Sequence, residues 1–415
     1  MVKSILVLTF FINGNGNILM VIMAGLLRIE YPDACSCYHK KSKMDFTPHI
    51  MTPHIITREF EKAIDSGIFP GAVFLCALKE KILFYEAFGM ADIFEKRSMQ
   101  KNSIFDLASL TKALATTPCI AKLIEKNKLE PDTPVSYILN EFRNTDKADI
   151  TVDMLLRHRS GLPAHKNYYA KILNSDEDPV QYLSSLLLKE KLEYMPGERE
   201  LYSDIGFMIL ARIIERISNM RLDKFVKKEI YQATGLHNLF FIDMHSKNRK
   251  SCPCNSEFVS TRYCKWRKKV LCGEPDDDNA FAIGGIDGHA GLFGDAISVY
   301  KLCLEILKAL KNDCPKVLKP QIIQQFTRRE KGFERVAGFD TPSEKESSSG
   351  SFFSPSSVGH LGFTGTSFWI DPEDDKIIIL LTNRVHPDIH NQGIKKFRPL
   401  IHDLAFKKIY SDAKE

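Results

Sequence analysis

Phe105-Asp-Leu-Ala-Ser-Leu-Thr-Lys112 is the stretch on which the reading of this chain turns. It opens the first long helical pattern and sets Ser109 three residues before Lys112. Residues three apart on a helix share a face, roughly 4.5 Å apart along the axis. A serine hydroxyl is a weak nucleophile and needs a neighbouring base, a task that an amine can perform if kept neutral. A helix N-terminus adds unpaired N–H groups and positive potential, which suit a developing oxyanion. The spacing alone is not selective, because Ser-x-x-Lys recurs at Ser98, Ser298 and Ser411. Taken by itself, Ser109 reads equally well as a helix N-cap with a surface lysine one turn on.

Outward from this stretch, the pattern is sheet, helices, then sheet. Residues 56–67 place Ile56, Phe60, Ala63 and Ile64 at helical spacing before Pro70-Gly71. Ala72 to Leu78 and Ile82 to Phe88 read as a hairpin across Lys79-Glu80-Lys81. Helical periodicity then dominates to the 310s, in 113–126, 151–157, 179–189, 205–218 and 297–311. The Ser-, Glu- and Pro-rich stretch 341–357 reads as a surface loop. Strand signal returns at Thr366 to Ile370 and Lys376 to Thr382, and a helix at about 392–409 closes the chain. Strands from both ends commonly join one sheet and leave the middle as a second lobe. The expected class is therefore a two-lobed α+β or α/β fold, an antiparallel sheet with terminal helices and a large, mostly helical insertion. The expected division is an N-terminal segment 1–50, a sheet lobe from 51–105 and 318–415, and a helical lobe 106–317. A cleft between the lobes is the default place for a site.

Composition narrows the function. The 415 residues are 44% hydrophobic and 26% charged, the balance of an ordinary globular protein and too long for one comfortable core. Lys plus Arg total 57 against 52 Asp plus Glu, and a net +5 with no basic stripe argues against nucleic acid as partner. Ten cysteines are too few and scattered for a disulfide scaffold. Four crowd together as Cys252, Cys254, Cys264 and Cys272, where buried thiols are the favoured reading over a metal site. No metal or cofactor is expected, since no His-Glu-x-x-His, Walker loop or Gly-x-Gly-x-x-Gly occurs. At the N-terminus the apolar runs Ile5 to Ile12 and Ile18 to Leu27 are each about half of the ~20 residues a spanning helix needs. If residues 1–43 act as a signal the protein is exported or membrane-associated; otherwise translation starts at Met20, Met23 or Met44 and it is cytoplasmic.

Two further boxes lift Ser109 above its duplicates. Pro196-Gly197-x4-Tyr202-Ser203-Asp204 leads into the helical stretch 205–218, and Gly359-His360-Leu361-Gly362-Phe363-Thr364-Gly365-Thr366 enters a strand. Here the sequence resembles the serine β-lactamase and penicillin-binding protein superfamily, in its class C-like branch of β-lactamase-related hydrolases. Counterparts of that superfamily's Ser-x-x-Lys, Tyr-x-Asn and Lys/His-x-Gly boxes occur in that order. Leu155-Leu-Arg-His-Arg-Ser-Gly-Leu-Pro163 and the stretch Asn279 to Phe293 support the resemblance, which runs from about residue 55 to 410.

The resemblance implies that Ser109 is the acylated nucleophile, Lys112 its proton partner and Tyr202 a shared base that later protonates the leaving group. Asp204, His360, Gly362, Phe363 and Thr364 would line the substrate, with an N–H near Phe363 or Thr364 joining that of Ser109 in the oxyanion hole. Two departures argue against an efficient β-lactamase. Asp204 stands where an Asn is usual; it cannot donate a hydrogen bond, and it is expected to pair with Lys112 and keep it charged. His360 replaces a lysine, and with an ordinary pKa of about 6.5 it would be mostly neutral at pH 7.5. Taken alone, Tyr202 reads as a core tyrosine and His360 as a strand-end surface histidine, while His158, His165, Asp287 and His289 read as structural. The resemblance implies a serine hydrolase working through an acyl-enzyme on a peptide, ester or lactam, as carboxypeptidases, D-aminopeptidases and esterases do. The alternative is a slowly acylated penicillin-binding or sensor module. The partner would be a small molecule or a cell-wall peptide. An α/β-hydrolase is excluded, because no Gly-x-Ser-x-Gly occurs.

Overall fold

The computed structural model describes residues 9–12, 18–21, 53–246 and 257–411. The chain divides into two units, Met1–Asp45 and Phe46–Glu415. In the first, strands β1 (Thr9–Ile12) and β2 (Ile18–Val21) pair antiparallel, Thr9 opposite Val21 and Ile12 opposite Ile18. The two apolar runs therefore supply two short strands. Among the described residues, no helix is long and apolar enough to cross a membrane.

In the second unit, β3 (Gly71–Leu78) contains no charged residue and is buried along nearly its whole length. Such a strand needs cover on both faces of its sheet. Val73, Leu75 and Ala77 face one core, and Ala72, Phe74 and Cys76 face another. The turn at Lys79, in the left-handed region (φ 50°), returns the chain as β4 (Lys81–Asp92), followed by β5 (Arg97–Ser98). Three very short strands, β6 (Phe105–Asp106), β7 (Leu239–Phe241) and β10 (Leu292–Gly294), form a separate small sheet with β10 in the middle. β8 (Tyr263–Cys264) and β9 (Lys269–Val270) make a two-residue ladder. Near the C-terminus come β11 (Val358–Leu361), β12 (Ser367–Asp371) and β13 (Lys376–Thr382). The main sheet runs β11-β12-β13-β3-β4-β5, antiparallel throughout, so strands from both ends of the chain meet at the β13–β3 pair.

The terminal helices Pro53–Asp65 and Ile394–Ala405 cover one face through Ile56, Phe60, Phe397 and Ile401. The other face carries the helix Ala296–Lys311 and, beyond it, the core built around Asp204–Ser218. This is the expected class. The helix read from 113–126 begins instead with a wide π turn, Lys112–Thr116, before Thr117–Glu125. The stretch 341–357 has no regular structure, but Ser349, Phe353 and Ser357 are buried in it, and His402 donates through Nδ1 to the Ser349 carbonyl.

Candidate active site

Ser109 sits on a turn that the surrounding backbone tightly defines. β6 delivers the chain, and the Asp106 carboxylate accepts the Ala108 N–H at 2.8 Å, holding Ala108 in the left-handed region at φ 47°. Such a backbone is costly for a residue with a Cβ and survives only where its surroundings impose it. Thr111 closes the turn by donating to the Ala108 carbonyl and accepting the Leu292 N–H. The π turn then starts at Lys112, a local widening common at functional sites. Ser109 directly precedes the first helical residue, Leu110, and Lys112 is not at the surface, since its side chain is 0% exposed.

The first two boxes meet at the Lys112 ammonium. Nζ donates to Ser109 Oγ at 3.1 Å, to Asp204 Oδ1 at 2.7 Å and to the His289 carbonyl at 3.0 Å. Burial would push the lysine towards neutrality, but the Asp204 charge and the Tyr202 oxygen outweigh it and hold the proton more tightly than usual. Burial likewise acts against the Asp204 carboxylate, and Lys112 and His165 overcome it, pulling its pKa well below the usual range. Tyr202 hydrogen-bonds with both Lys112 and Ser109, and its phenol pKa is raised by burial. The expected Asp204–Lys112 pair is therefore present, with the lysine charged. Ser203 positions both neighbours: its Oγ accepts the Gly206 N–H as the cap of the helix Asp204–Ser218 and donates to the Pro163 carbonyl. His158, buried and neutral, accepts the Ser203 N–H at Nδ1 and packs tilted against Tyr202 with centroids 4.5 Å apart.

His165 lies in the cavity, although its sequence context reads as structural. Its Nδ1 is 3.0 Å from Asp204 Oδ2, and this hydrogen bond raises the imidazole pKa. His289 is a buried cation: desolvation opposes its charge, yet Asp277 (2.9 Å) and Asp287 (3.3 Å) raise its pKa to about 10.

The third box docks directly onto the first. Thr364 Oγ1 donates to the Asp106 carbonyl and Thr366 Oγ1 to that of Leu107. Thr364 therefore spends its hydroxyl inside the protein rather than on a substrate. Leu361, Gly362 and Phe363 line the cavity. Neither the Ser109 nor the Phe363 amide is engaged among the described residues, which leaves both free to donate to an oxyanion. His360 is buried, not a surface residue, and burial first of all lowers its pKa. It is neutral, donates from Nδ1 to the Leu361 carbonyl at 2.9 Å and keeps Nε2 as an acceptor.

The cavity encloses about 620 Å³, enough for a small peptide or ester. Arg335, Arg384 and Arg398 also line it, and no local motif marks them in the sequence. Arg335 is paired with Glu200 (2.7 Å) and Asp340 (2.9 Å), and its guanidinium lies 5.5 Å from the centre of the Tyr202 ring. Cys264 and Cys272 are free thiols; Cys252 and Cys254 lie outside the described residues. No group of three or more His, Cys, Asp or Glu side chains among the described residues is arranged to hold a metal ion.

Residues 56–396 match the family model described as Beta-lactamase. The chain belongs to the beta-lactamase family. This beta-lactamase-family protein is 28% identical over 369 residues to a "Putative D-alanyl-D-alanine carboxypeptidase" of Salmonella agona, covering 82% of this chain and 84% of the relative. Among solved structures it is similar to EstCE1, a hydrolase with promiscuous acyltransferase activity (TM-score 0.68, 20% identity, 85% of this chain and 98% of that one). It is also similar to the octameric penicillin-binding protein homologue from Pyrococcus abyssi (TM-score 0.63, 19% identity, 86% and 77%). It is a serine hydrolase of the β-lactamase and penicillin-binding protein type.

Proposed function

We propose that this family member hydrolyses a small peptide, ester or lactam through an acyl-enzyme on Ser109. The observation that carries this reading is the convergence of Ser109, Lys112 and Tyr202 on one hydrogen-bonded cluster at the cavity wall. Ser109 Oγ attacks the substrate carbonyl, and the amides of Ser109 and Phe363 take up the negative charge. The hydroxyl proton leaves through Tyr202 and Lys112 and is returned to the leaving group as its bond to the carbonyl carbon breaks. Water then releases the acyl group by the reverse sequence. Gly362 and Phe363 flank the bound substrate, and His360 offers it an acceptor at Nε2.

With Ser109→Ala, turnover of p-nitrophenyl esters and the mass shift from a fluorescent penicillin should both vanish, whereas Ser98→Ala and Ser298→Ala change neither. Labelling that persists in Ser109→Ala overturns the assignment. The charged state of Lys112 favours one alternative outcome, slow stoichiometric labelling without turnover, which would mark a slowly acylated binding module.

A further inference from the structure

Two neighbouring turns hold apolar side chains out in water. In the β4–β5 connection the buried Asp92 carboxylate accepts the Phe94 and Glu95 N–H groups at 2.8 and 3.0 Å, which fixes the turn. Phe94 is nonetheless 58% exposed, with Ile93 at 38% and Met90, in β4, at 39%. The segment leading to β8 packs alongside: Ser260 donates to Asp92, and Arg97 donates to the Phe258 carbonyl at 2.9 Å. His386 joins the two turns. Its Nε2 accepts the Ile93 N–H, its Nδ1 donates to the Thr261 carbonyl and its ring meets that of Phe94 edge-on. The Pro387 carbonyl then accepts the Tyr263 N–H at 2.8 Å. Tyr263, where the β8–β9 hairpin starts, is 50% exposed, and Trp266 in its turn is 37% exposed. Lys96, Lys265 and Lys268 are exposed and form no ion pair among the described residues, while Lys269 pairs with the buried Glu274 at 2.9 Å. Glu95 and Asp388 are exposed on the same face, so positive charge is in excess there.

We propose that the β4–β5 turn and the β8–β9 hairpin form a docking surface for an anionic lipid bilayer. Exposed apolar side chains grouped in this way mark a contact with something other than water. Tyr and Trp rings settle at the head-group level of a bilayer, and lysines beside them meet its anionic phosphates. A soluble polyanion would use the lysines and leave Met90, Ile93 and Phe94 without a role. A protein partner would have to desolvate or pair Lys96, Lys265 and Lys268, each of which a lipid surface leaves at the wet head-group layer. The surface adjoins the cavity that holds Ser109, because Arg262, beside Tyr263, and Arg384, two residues before His386, both line that cavity. Docking therefore brings the cavity to the bilayer surface.

The test uses the full chain and vesicles of phosphatidylcholine, alone or mixed equally with phosphatidylglycerol. The chain has two tryptophans, and Trp369 is 1% exposed, so the fluorescence change on binding reports Trp266. With the mixed vesicles the emission should shift to the blue and be quenched by lipid brominated on its acyl chains. Phe94→Ser with Tyr263→Ser, and Lys265→Glu with Lys268→Glu, should each weaken vesicle binding roughly tenfold or more while the Tm stays unaltered. On the unaltered protein, which needs no variant to fold, absence of binding, or binding without quenching of Trp266, overturns the proposal. Binding that follows the lysines alone and survives Phe94→Ser with Tyr263→Ser overturns it in favour of a soluble polyanion. A dimer in solution that Phe94→Ser with Tyr263→Ser splits overturns it in favour of a second copy of this chain.

Discussion

Asp204 places a full negative charge 2.7 Å from Lys112 Nζ, where an asparagine would place none. With the ammonium charged and the phenol neutral, no group touching Ser109 Oγ can accept a proton. The reactive form therefore carries one proton fewer, and kcat/KM should climb as pH rises from neutral into the alkaline range. Asp204→Asn removes the charge that holds the lysine proton. The rising limb should then move to lower pH by about one unit or more, roughly a tenfold gain at a fixed pH on that limb. His165→Gln should move it the other way, because Asp204 would then direct more of its charge at Lys112. A limb that stays in place in both variants would exclude Lys112 as the titrating group. Ser109, Lys112, Tyr202 and Asp204 are legible in the sequence because each box is short and contiguous. His165 and Arg335 are not, since they reach the site only through tertiary packing.

At the scale of elements, the helices that could be read were those with strong local signals. Asp178 caps Pro179–Lys189 by accepting from Val180 and Gln181, and Ser203 caps Asp204–Ser218. The sheet of β6, β10 and β7 was not legible, because strands of two or three residues are too short to show a period of two. Yet that sheet carries the Ser109 turn, onto which the β11–β12 connection docks. Gly362 makes this docking possible. A Cβ there would lie 2.1 Å from Thr366 Oγ1 and 2.8 Å from the Leu107 carbonyl, so the strand end could not approach. Gly362→Ala should displace the Phe363 amide and lower kcat by roughly a hundredfold, as loss of an oxyanion donor does. Circular dichroism should report a retained fold with a lower Tm. Unaltered kcat would show that the oxyanion hole lies elsewhere.

Across the whole molecule, His289 joins elements far apart in the chain. Its carbonyl accepts from Lys112, its ring binds Asp277 at the cap of the helix Asp278–Ala282, and Asp287 beside it pairs with Arg212 on Asp204–Ser218. Its pKa is raised to about 10 in the folded protein, against about 6.5 unfolded. Folding thus retains a proton that unfolding releases. The associated stability is fully present below pH 6.5 and is lost as pH rises towards 10, at about 1.4 kcal/mol per pH unit. Below about pH 9 other groups act mainly outside this window; above it the buried Cys76, Cys119 and Cys303 thiols, whose pKa values burial raises, also lose their contribution. Lys112 and Tyr202, both raised, lose their contribution above it. The neutral, buried His158, His360, His386 and His402 have lowered pKa values, and their contribution is lost as pH falls below 6.5. His165 overlaps only the start, its rise being smaller. The Tm should therefore fall steadily between pH 7.5 and 9, and His289→Gln should flatten that decline while lowering the Tm at pH 7. An equally steep decline in His289→Gln would mean that the buried imidazole does not hold its proton in the folded state.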